Sequence, residues 1–250
     1  MAENSRCYSI VKMTDGVKQD VEASIVVEYS LSVRVNGVEM AVLSCSPTDV
    51  EYLAVGFARS QGFIDRKSDI KDIVIREASV DILTNSETAV SPGMMVTSSN
   101  GRSSRLLNAP TMKCESSLTV RSGDVYRLME SFEEYSRNFV KTGGVHSAAL
   151  CESDRMVLFN EDIGRHNAID KVFGRCLLEE RNVEELLLVT SGRVSSDIMM
   201  KAAIRRVPVV ISRNSPTDLG VEIADKTGIT LLGFVRGNNM NAYTHAWRVV

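Results

Sequence analysis

At 250 residues, with 44% hydrophobic and 24% charged positions, the chain has ordinary globular composition and room for one large domain or two small ones, which excludes disorder and fibrous repeats. Lys plus Arg number 29 against 32 Asp plus Glu, a net charge of −3, so bulk electrostatic attachment to nucleic acid is excluded. No apolar run reaches the roughly 18 residues of a membrane span, and the polar stretch 1–20 has no cleavage pattern, so a cytoplasmic protein is expected.

Residues 25–35 and 38–43 are β-branched runs joined by Asn36-Gly37, a hairpin signal. Ser46-Pro47-Thr48-Asp49 reads as a helix start with Pro in the first turn, followed by the apolar face Val50, Leu53, Ala54 and Phe57 and a stop at Gly62. Short strands are predicted near 73–76 and 80–84. Residues 91–114 have little periodicity, carry Arg102, Arg105 and Lys113, and read as a long exposed basic loop. From Asp124 the pattern changes. One long amphipathic helix runs to Phe139, then strands at 146–151 and 156–159. After these, helices (169–177, 198–202, 219–226) alternate with strands (186–190, 207–211, 229–235). This alternation predicts an α/β sheet with parallel neighbours, α+β for the whole chain, with a β-rich part over 1–122 and an α/β part over 123–250.

Three loops of the second half follow strands and precede helices, where open α/β sheets place ligands. They are Glu161-Asp162-Ile163-Gly164-Arg165-His166-Asn167, Thr190-Ser191-Gly192-Arg193, and Ser212-Arg213-Asn214-Ser215-Pro216-Thr217. Acids, amides, an Arg and a His beside a helix start can orient a base, ribose or phosphate. Gly permits close backbone approach and Arg binds phosphate through two N–H groups. Each loop alone also fits an ordinary capped turn; together they point to an anionic, nucleotide-sized ligand. Thr142-Gly143-Gly144-Val145-His146 ends in a strand-borne His146, open to a structural or a chemical role.

The five cysteines, Cys7, Cys45, Cys114, Cys151 and Cys176, form no Cys-x-x-Cys, and there are three histidines. No disulfide framework and no zinc site is expected. Cys176, Cys45 and Cys151 fall on apolar faces or strands, and Cys7 in a terminal segment. Cys114 is expected in the polar basic loop, where Lys113 and Arg105 could stabilise a thiolate against the opposing effect of Glu115.

These blocks resemble the FdhD/NarQ family of formate dehydrogenase accessory sulfurtransferases. The likeness runs through Val35-Asn36-Gly37, Ser44-Cys45-Ser46-Pro47-Thr48-Asp49, Thr142-Gly143-Gly144-Val145-His146-Ser147-Ala148-Ala149, Ser191-Gly192-Arg193 and Gly233-Phe234-Val235-Arg236. Its most specific block is Glu161-Asp162-Ile163-Gly164-Arg165-His166-Asn167-Ala168-Ile169-Asp170-Lys171. The resemblance implies a cytidine-deaminase-like C-terminal domain in a cytoplasmic protein. It implies sulfur taken from a cysteine desulfurase as a persulfide, here on Cys114, and passed to the molybdenum bis-molybdopterin guanine dinucleotide cofactor that the formate dehydrogenase catalytic subunit requires. It further implies a homodimer, and cofactor contacts by Phe234, Val235, Arg236, Gly237, Asn238 and Asn239; the loop reading adds His146, Asp162, Arg165, His166, Asn167, Ser191, Gly192 and Arg193 to the expected cofactor-binding residues.

The chain departs from the family at its Cys-Gly-x-Cys loop. Cys114 stands alone there, with Thr111 and Ser117 three residues away on either side. That leaves open a non-catalytic chaperone that delivers the cofactor without handling sulfur. A base deaminase is excluded, because His146 is followed by Ser147 and Ala148 and no Pro-Cys-x-x-Cys exists. Nucleic-acid binding has no motif to support it.

Overall fold

A computed structural model describes residues 4–85 and 113–250, so all but the last two residues of the expected basic loop over 91–114, Arg102 and Arg105 included, lie outside the described residues. The chain opens with an antiparallel hairpin of β1 (Ser5–Thr14) and β2 (Val17–Val26). Its turn, Asp15-Gly16, has φ of 50° and 81°, the two left-handed residues of a type I′ turn. A second sheet follows in the order β4-β3-β6-β5, from β3 (Tyr29–Val35), β4 (Val38–Cys45), β5 (Ile70–Arg76) and β6 (Ser79–Thr84). Asn36-Gly37 makes the expected hairpin turn with φ of 51° and 78°. Helix α1 (Val50–Gln61) covers one face of this sheet, where Leu53, Ala54 and Phe57 pack on Leu31, Val33, Leu43 and Ile82.

The second half contains α2 (Ser122–Tyr135), α3 (Arg137–Thr142), β7 (His146–Cys151), β8 (Met156–Asp162), α4 (Arg165–Leu178), β9 (Leu187–Thr190), α5 (Ser196–Ile204), β10 (Val209–Ser212), α6 (Asp218–Thr227), β11 (Thr230–Arg236) and β12 (Asn239–Thr244). Its sheet runs β12-β11-β10-β9-β7-β8. Strands β9, β10 and β11 are parallel, and β7 is antiparallel to both β8 and β9. The alternation of side chains along each strand gives the sheet two apolar faces. Ala148, Leu150, Leu188 and Val210 meet α4 and α5 through Ile169, Phe173, Ile198 and Met199. Ala149, Val189, Val209 and Ile211 meet α2 through Val125, Leu128, Met129 and Phe132. The mixed α/β class read from the sequence is the class observed.

The two halves meet where α1 crosses α4. A Cβ on Gly56 would stand 1.9 Å from the Asp170 carbonyl oxygen, and one on Gly174 would stand 1.9 Å from that of Tyr52. Only glycine permits backbones to touch this closely.

Local expectations fail at five places. The run 25–35 is broken between Val26 and Tyr29, the hairpin of β1 and β2 precedes it, and β12 follows the strand expected last. The single helix expected from Asp124 divides at Ser136, whose hydroxyl donates to the Phe132 carbonyl (3.0 Å) and thereby competes with helix continuation. Pro47 precedes α1 instead of opening it: the helix starts at Val50, and the Asp49 carboxylate accepts from Asn160 Nδ2 (2.8 Å) in place of capping.

Candidate functional site

Strand polarity decides which side chains meet. Because β8, β9, β10 and β11 point the same way, their last residues Asp162, Thr190, Ser212 and Arg236 end at one edge of the sheet, and β7 begins there with His146, opposite Asp162. All three strand-to-helix loops read from the sequence therefore converge on this carboxyl edge, joined by the β11–β12 turn.

The first loop is fixed from beneath. The Asp162 carboxylate and the Lys171 ammonium are wholly buried, 2.7 Å apart. The carboxylate also accepts from Ser46 N (3.0 Å), Gly164 N (2.9 Å) and Asn167 Nδ2 (2.9 Å). Asn167 Nδ2 also donates to the Ser44 carbonyl at 2.8 Å, and Ile163 N to Ser46 Oγ at 3.2 Å. With both carboxylate oxygens engaged and no exposed surface, Asp162 organises the loop instead of touching a ligand, and Asn167 shares that role. This corrects their expected direct cofactor contact. The pair Ser44 and Ser46 belongs to the first half of the chain, so the loop is shaped by both halves.

Above this base lies a cluster of His146, Arg165, Ser191 and Gly192. Ser191 Oγ accepts from Ser147 N (2.9 Å) and lies 3.4 Å from His146 Nδ1. Asn214 Nδ2 donates to the Ser191 carbonyl (2.7 Å), and Ser212 Oγ donates to that of Gly192 (2.8 Å), which ties the second loop to the third. Gly192 lies against Arg165, where an added Cβ would come 3.0 Å from the arginine Cβ. Arg165 Nε is enclosed and has no hydrogen-bond partner among the described residues.

Burial, with the Arg165 charge second, holds the His146 imidazole below its ordinary range. His166 is pushed down to about 4 by burial, then by Lys201 and Arg165. Both rings are neutral at pH 7, so cationic Arg165 stands between two uncharged imidazoles. Helices α4 and α5 begin at this edge, and neither N-cap side chain bonds the first turn, leaving backbone N–H groups available to an anion.

The expected segment 234–239 divides. Phe234, held at φ 53°, donates its N–H to the Asn214 carbonyl (3.3 Å) and has an exposed ring. Val235 is wholly buried against α2, so its side chain cannot meet a ligand. Arg236, Gly237 and Asn238 line a cavity of about 550 Å³ with Tyr126, Arg127 and Arg213. Arg213 is ion-paired with Glu133 at 3.1 Å. Asn239 and Arg193 are exposed, whereas His166 sits among Lys201, Arg165, Asp170 and Asp197. Arg213 and Asn214 belong to the third predicted loop, and their place next to a strand end is the signal that puts them at this edge.

Cys114 lies elsewhere. Its N–H donates to the Thr227 carbonyl (2.8 Å) and its Sγ to the Arg206 carbonyl (3.5 Å). Those residues lead into β11 and β10, so the thiol sits at the amino edge, separated from the loop cluster by the length of the strands, roughly 15–20 Å. It is 8% exposed and packs on the core. This overturns the expected exposure of the thiol, because the chain after the loop is already pinned to the sheet at residue 114. Beside it opens a polar cavity of about 970 Å³, lined by Lys113, Glu115, Ser116, Glu184, Glu185 and Arg206 among others.

Among the described residues, no group of three or more His, Cys, Asp or Glu is placed to hold a metal, and no helix is long and apolar enough to cross a membrane.

The chain is similar to known proteins over nearly its whole length. It is 38% identical to the sulfur carrier protein FdhD of Geobacillus kaustophilus, covering 96% of this chain and 95% of that protein. It is 37% identical to the FdhD of Bacillus subtilis, with 92% and 91% covered. A crystal structure described as a formate dehydrogenase accessory protein from Desulfotalea psychrophila superposes with a TM-score of 0.85, at 22% identity, over 99% of this chain and all of that one. The model of the FdhD/NarQ family matches residues 26–250, and the chain belongs to that family.

Proposed function

We propose that this protein is a cytoplasmic sulfurtransferase serving formate dehydrogenase, carrying sulfur on Cys114 from a cysteine desulfurase to the molybdenum bis-molybdopterin guanine dinucleotide cofactor. The Cys114 thiolate attacks the outer sulfur of the desulfurase persulfide, the donor S–S bond breaks, and the donor cysteine leaves as thiolate while Cys114 becomes the persulfide. The outer sulfur then leaves as a neutral atom and becomes a sulfido ligand by taking two electrons from the substrate cofactor in its reduced form, and the Cys114 thiolate returns. The cofactor, the substrate of this step, carries phosphates and guanines suited to the carboxyl edge. Arg165, Arg236 and the open helix starts meet negative charge, and His146, Ser191 and Asn214 supply neutral hydrogen bonds.

The observation that carries the reading is the state of the five thiols. Burial pushes Cys45 and Cys151 up to about 12 and Cys176 up to about 11, so none of the three is a nucleophile near neutral pH. Cys7 lies on the first hairpin, outside the residues the family model matches. Cys114 remains, beside an open polar cavity. Its low exposure favours the second reading, a chaperone that delivers the cofactor without carrying sulfur.

Intact-mass spectrometry after incubation with a cysteine desulfurase and cysteine separates the two. The sulfurtransferase gains one sulfur mass that Cys114→Ala loses; with an active desulfurase and no gain in the wild type, the chaperone reading takes its place.

A further inference from the structure

The described residues contain four buried cationic side chains, Lys171, Lys201, Arg205 and Arg248. Three have a carboxylate: Lys171 pairs with Asp162, Lys201 with Asp170, and Arg205 feels the charge of the same Asp170. Arg248, 1% exposed, has none among the described residues. Its Nη1 donates to the Gly228 carbonyl (2.9 Å) and Thr230 Oγ1 (3.3 Å), and its Nη2 donates to the Ser116 carbonyl (2.9 Å). Nε is sealed from solvent and has no hydrogen-bond partner among the described residues. The Trp247 ring lies 4.1 Å from the guanidinium carbon. A buried guanidinium without a counter-charge is costly, and an anion brought beside it would offset that cost.

Two of its acceptors bracket Cys114. Ser116 follows that residue by two, and Gly228 packs on its backbone, where an added Cβ would stand 3.1 Å from the Cys114 carbonyl oxygen. The C-terminal tail holds the arrangement. Val120 N donates to the Arg248 carbonyl (2.8 Å), Ser122 N to that of Val250 (2.9 Å), and Val250 N to that of Val120 (3.0 Å). Burial holds the guanidinium below its ordinary range, and Cys114 acts on it in the opposite direction.

We propose that Arg248 is the positioning cation of the sulfur-carrying site, its buried charge completing the ion pair with the anionic sulfur of Cys114. This rests on the sulfurtransferase reading and deepens it. In the loading step a thiolate becomes a persulfide that releases its proton to solvent, so the sulfur is anionic before and after. A fixed cation serves both states without moving, and no oxidant or reductant is needed. Lys113 and Arg206 line the adjoining cavity, where their charges are available to an incoming donor.

The test uses the full chain with Cys7→Ser, so that the exposed thiol does not interfere, and compares Arg248→Gln with Arg248→Lys. Iodoacetamide alkylation of Cys114 is read by peptide mass spectrometry across pH 6–10, with thermal unfolding alongside. In Arg248→Gln the alkylation rate is expected to reach half its plateau about one pH unit higher, and sulfur loading at pH 7 to slow about tenfold. Arg248→Lys, which keeps the charge, is expected to retain most of both. A folded Arg248→Gln with an unmoved pH profile would overturn the proposal, as would equal shifts in the two variants. Should Arg248→Gln not fold, a one-unit shift in Arg248→Lys overturns it and a retained profile supports it. A wild type that takes up no sulfur yet shows the expected alkylation shifts would leave the ion pair standing and remove the sulfurtransferase reading.

Discussion

At the carboxyl edge of the central sheet, the polar groups come from loops that each adjoin their own strand, and neighbouring loops bond one another directly through Ser191, Asn214 and Ser212. At the amino edge, Cys114 is held by residues distant in sequence: Arg206 lies 92 positions away, and the Ser116–Arg248 bond spans 132. The first edge is assembled by strand polarity, so a short motif after a strand brings a functional group to it wherever the strand sits in the sheet. The second is assembled by closure of the chain on itself, with Arg248, Val249 and Val250 laid along the segment after Cys114. A change at the carboxyl edge should therefore act on ligand binding loop by loop, whereas a change at the amino edge acts through the tail.

The largest effect expected from this contrast falls where the carboxyl edge is not local. Asp162→Ala leaves the Lys171 ammonium buried without its partner, which costs about 3–5 kcal/mol and frees Ser46, Gly164 and Asn167 together. Urea unfolding measures it. The double substitution Asp162→Leu with Lys171→Met removes both charges and should recover a large part of the loss. A cost below about 1 kcal/mol for Asp162→Ala would mean that the edge does not depend on this pair.

Next in size is a pH effect. His166 has a folded-state value of about 4 against an ordinary 6.5, so the unfolded chain binds the proton first as pH falls. The stability this contributes is fully present above pH 6.5 and is lost as pH falls toward 4, amounting to about 3 kcal/mol. His146, also held low, adds in the same direction. Unfolding curves at pH 4.5, 5.5 and 7 should show the slope, and His166→Gln should flatten most of it. An unchanged slope in that variant would assign it to other groups.

How much of this was legible follows from the same contrast. Strand, loop and helix alternate at short range, so the three loops, the parallel sheet and its buried strands Leu187–Thr190 and Val209–Ser212 could be read directly. The hairpin of Ser5–Thr14 and Val17–Val26 carried its own signal in Asp15-Gly16, which was obscured by the polar residues of both strands. Ser136 breaks a helix whose apolar spacing runs on unbroken, because the competing hydrogen bond is made by one hydroxyl. The burial of Cys114 and the approach of Arg248 left no trace, since a contact across more than a hundred residues has no local pattern. Nor could the sequence show that Asp162 lies under its loop and Arg165 over it, because both are polar residues of one motif and only the packing of Ser44 and Ser46 separates them.

A smaller effect tests the carboxyl edge as a binding surface. Gly192→Ala would place a methyl group against Arg165 and displace it, so affinity for GDP, a probe of the cofactor's guanine nucleotide portion, should fall about tenfold, or 1.4 kcal/mol. Calorimetric titration reads this. Sulfur loading of Cys114 by the desulfurase should be unchanged, and a parallel loss of loading would mean that the substitution disturbs the whole sheet.

The smallest expected quantity is a coupling. If the two edges act as separate sites, the effects of Gly192→Ala and Cys114→Ala on GDP affinity should add within about 0.5 kcal/mol, as substitutions with no shared partner do. The argument for near-zero coupling is physical. The strands between the edges are packed on both faces by Leu188, Val189, Val210 and Ile211, and a close-packed interior has no second arrangement through which a lost thiol could be felt at Arg165. Repeating the cycle with Cys114 loaded as persulfide sharpens it, since the added sulfur places a larger charged group beside Arg248. A coupling above about 1 kcal/mol that appears only in the loaded state would show that the charge at the amino edge reaches the loops, and that nucleotide binding reports whether the protein carries sulfur.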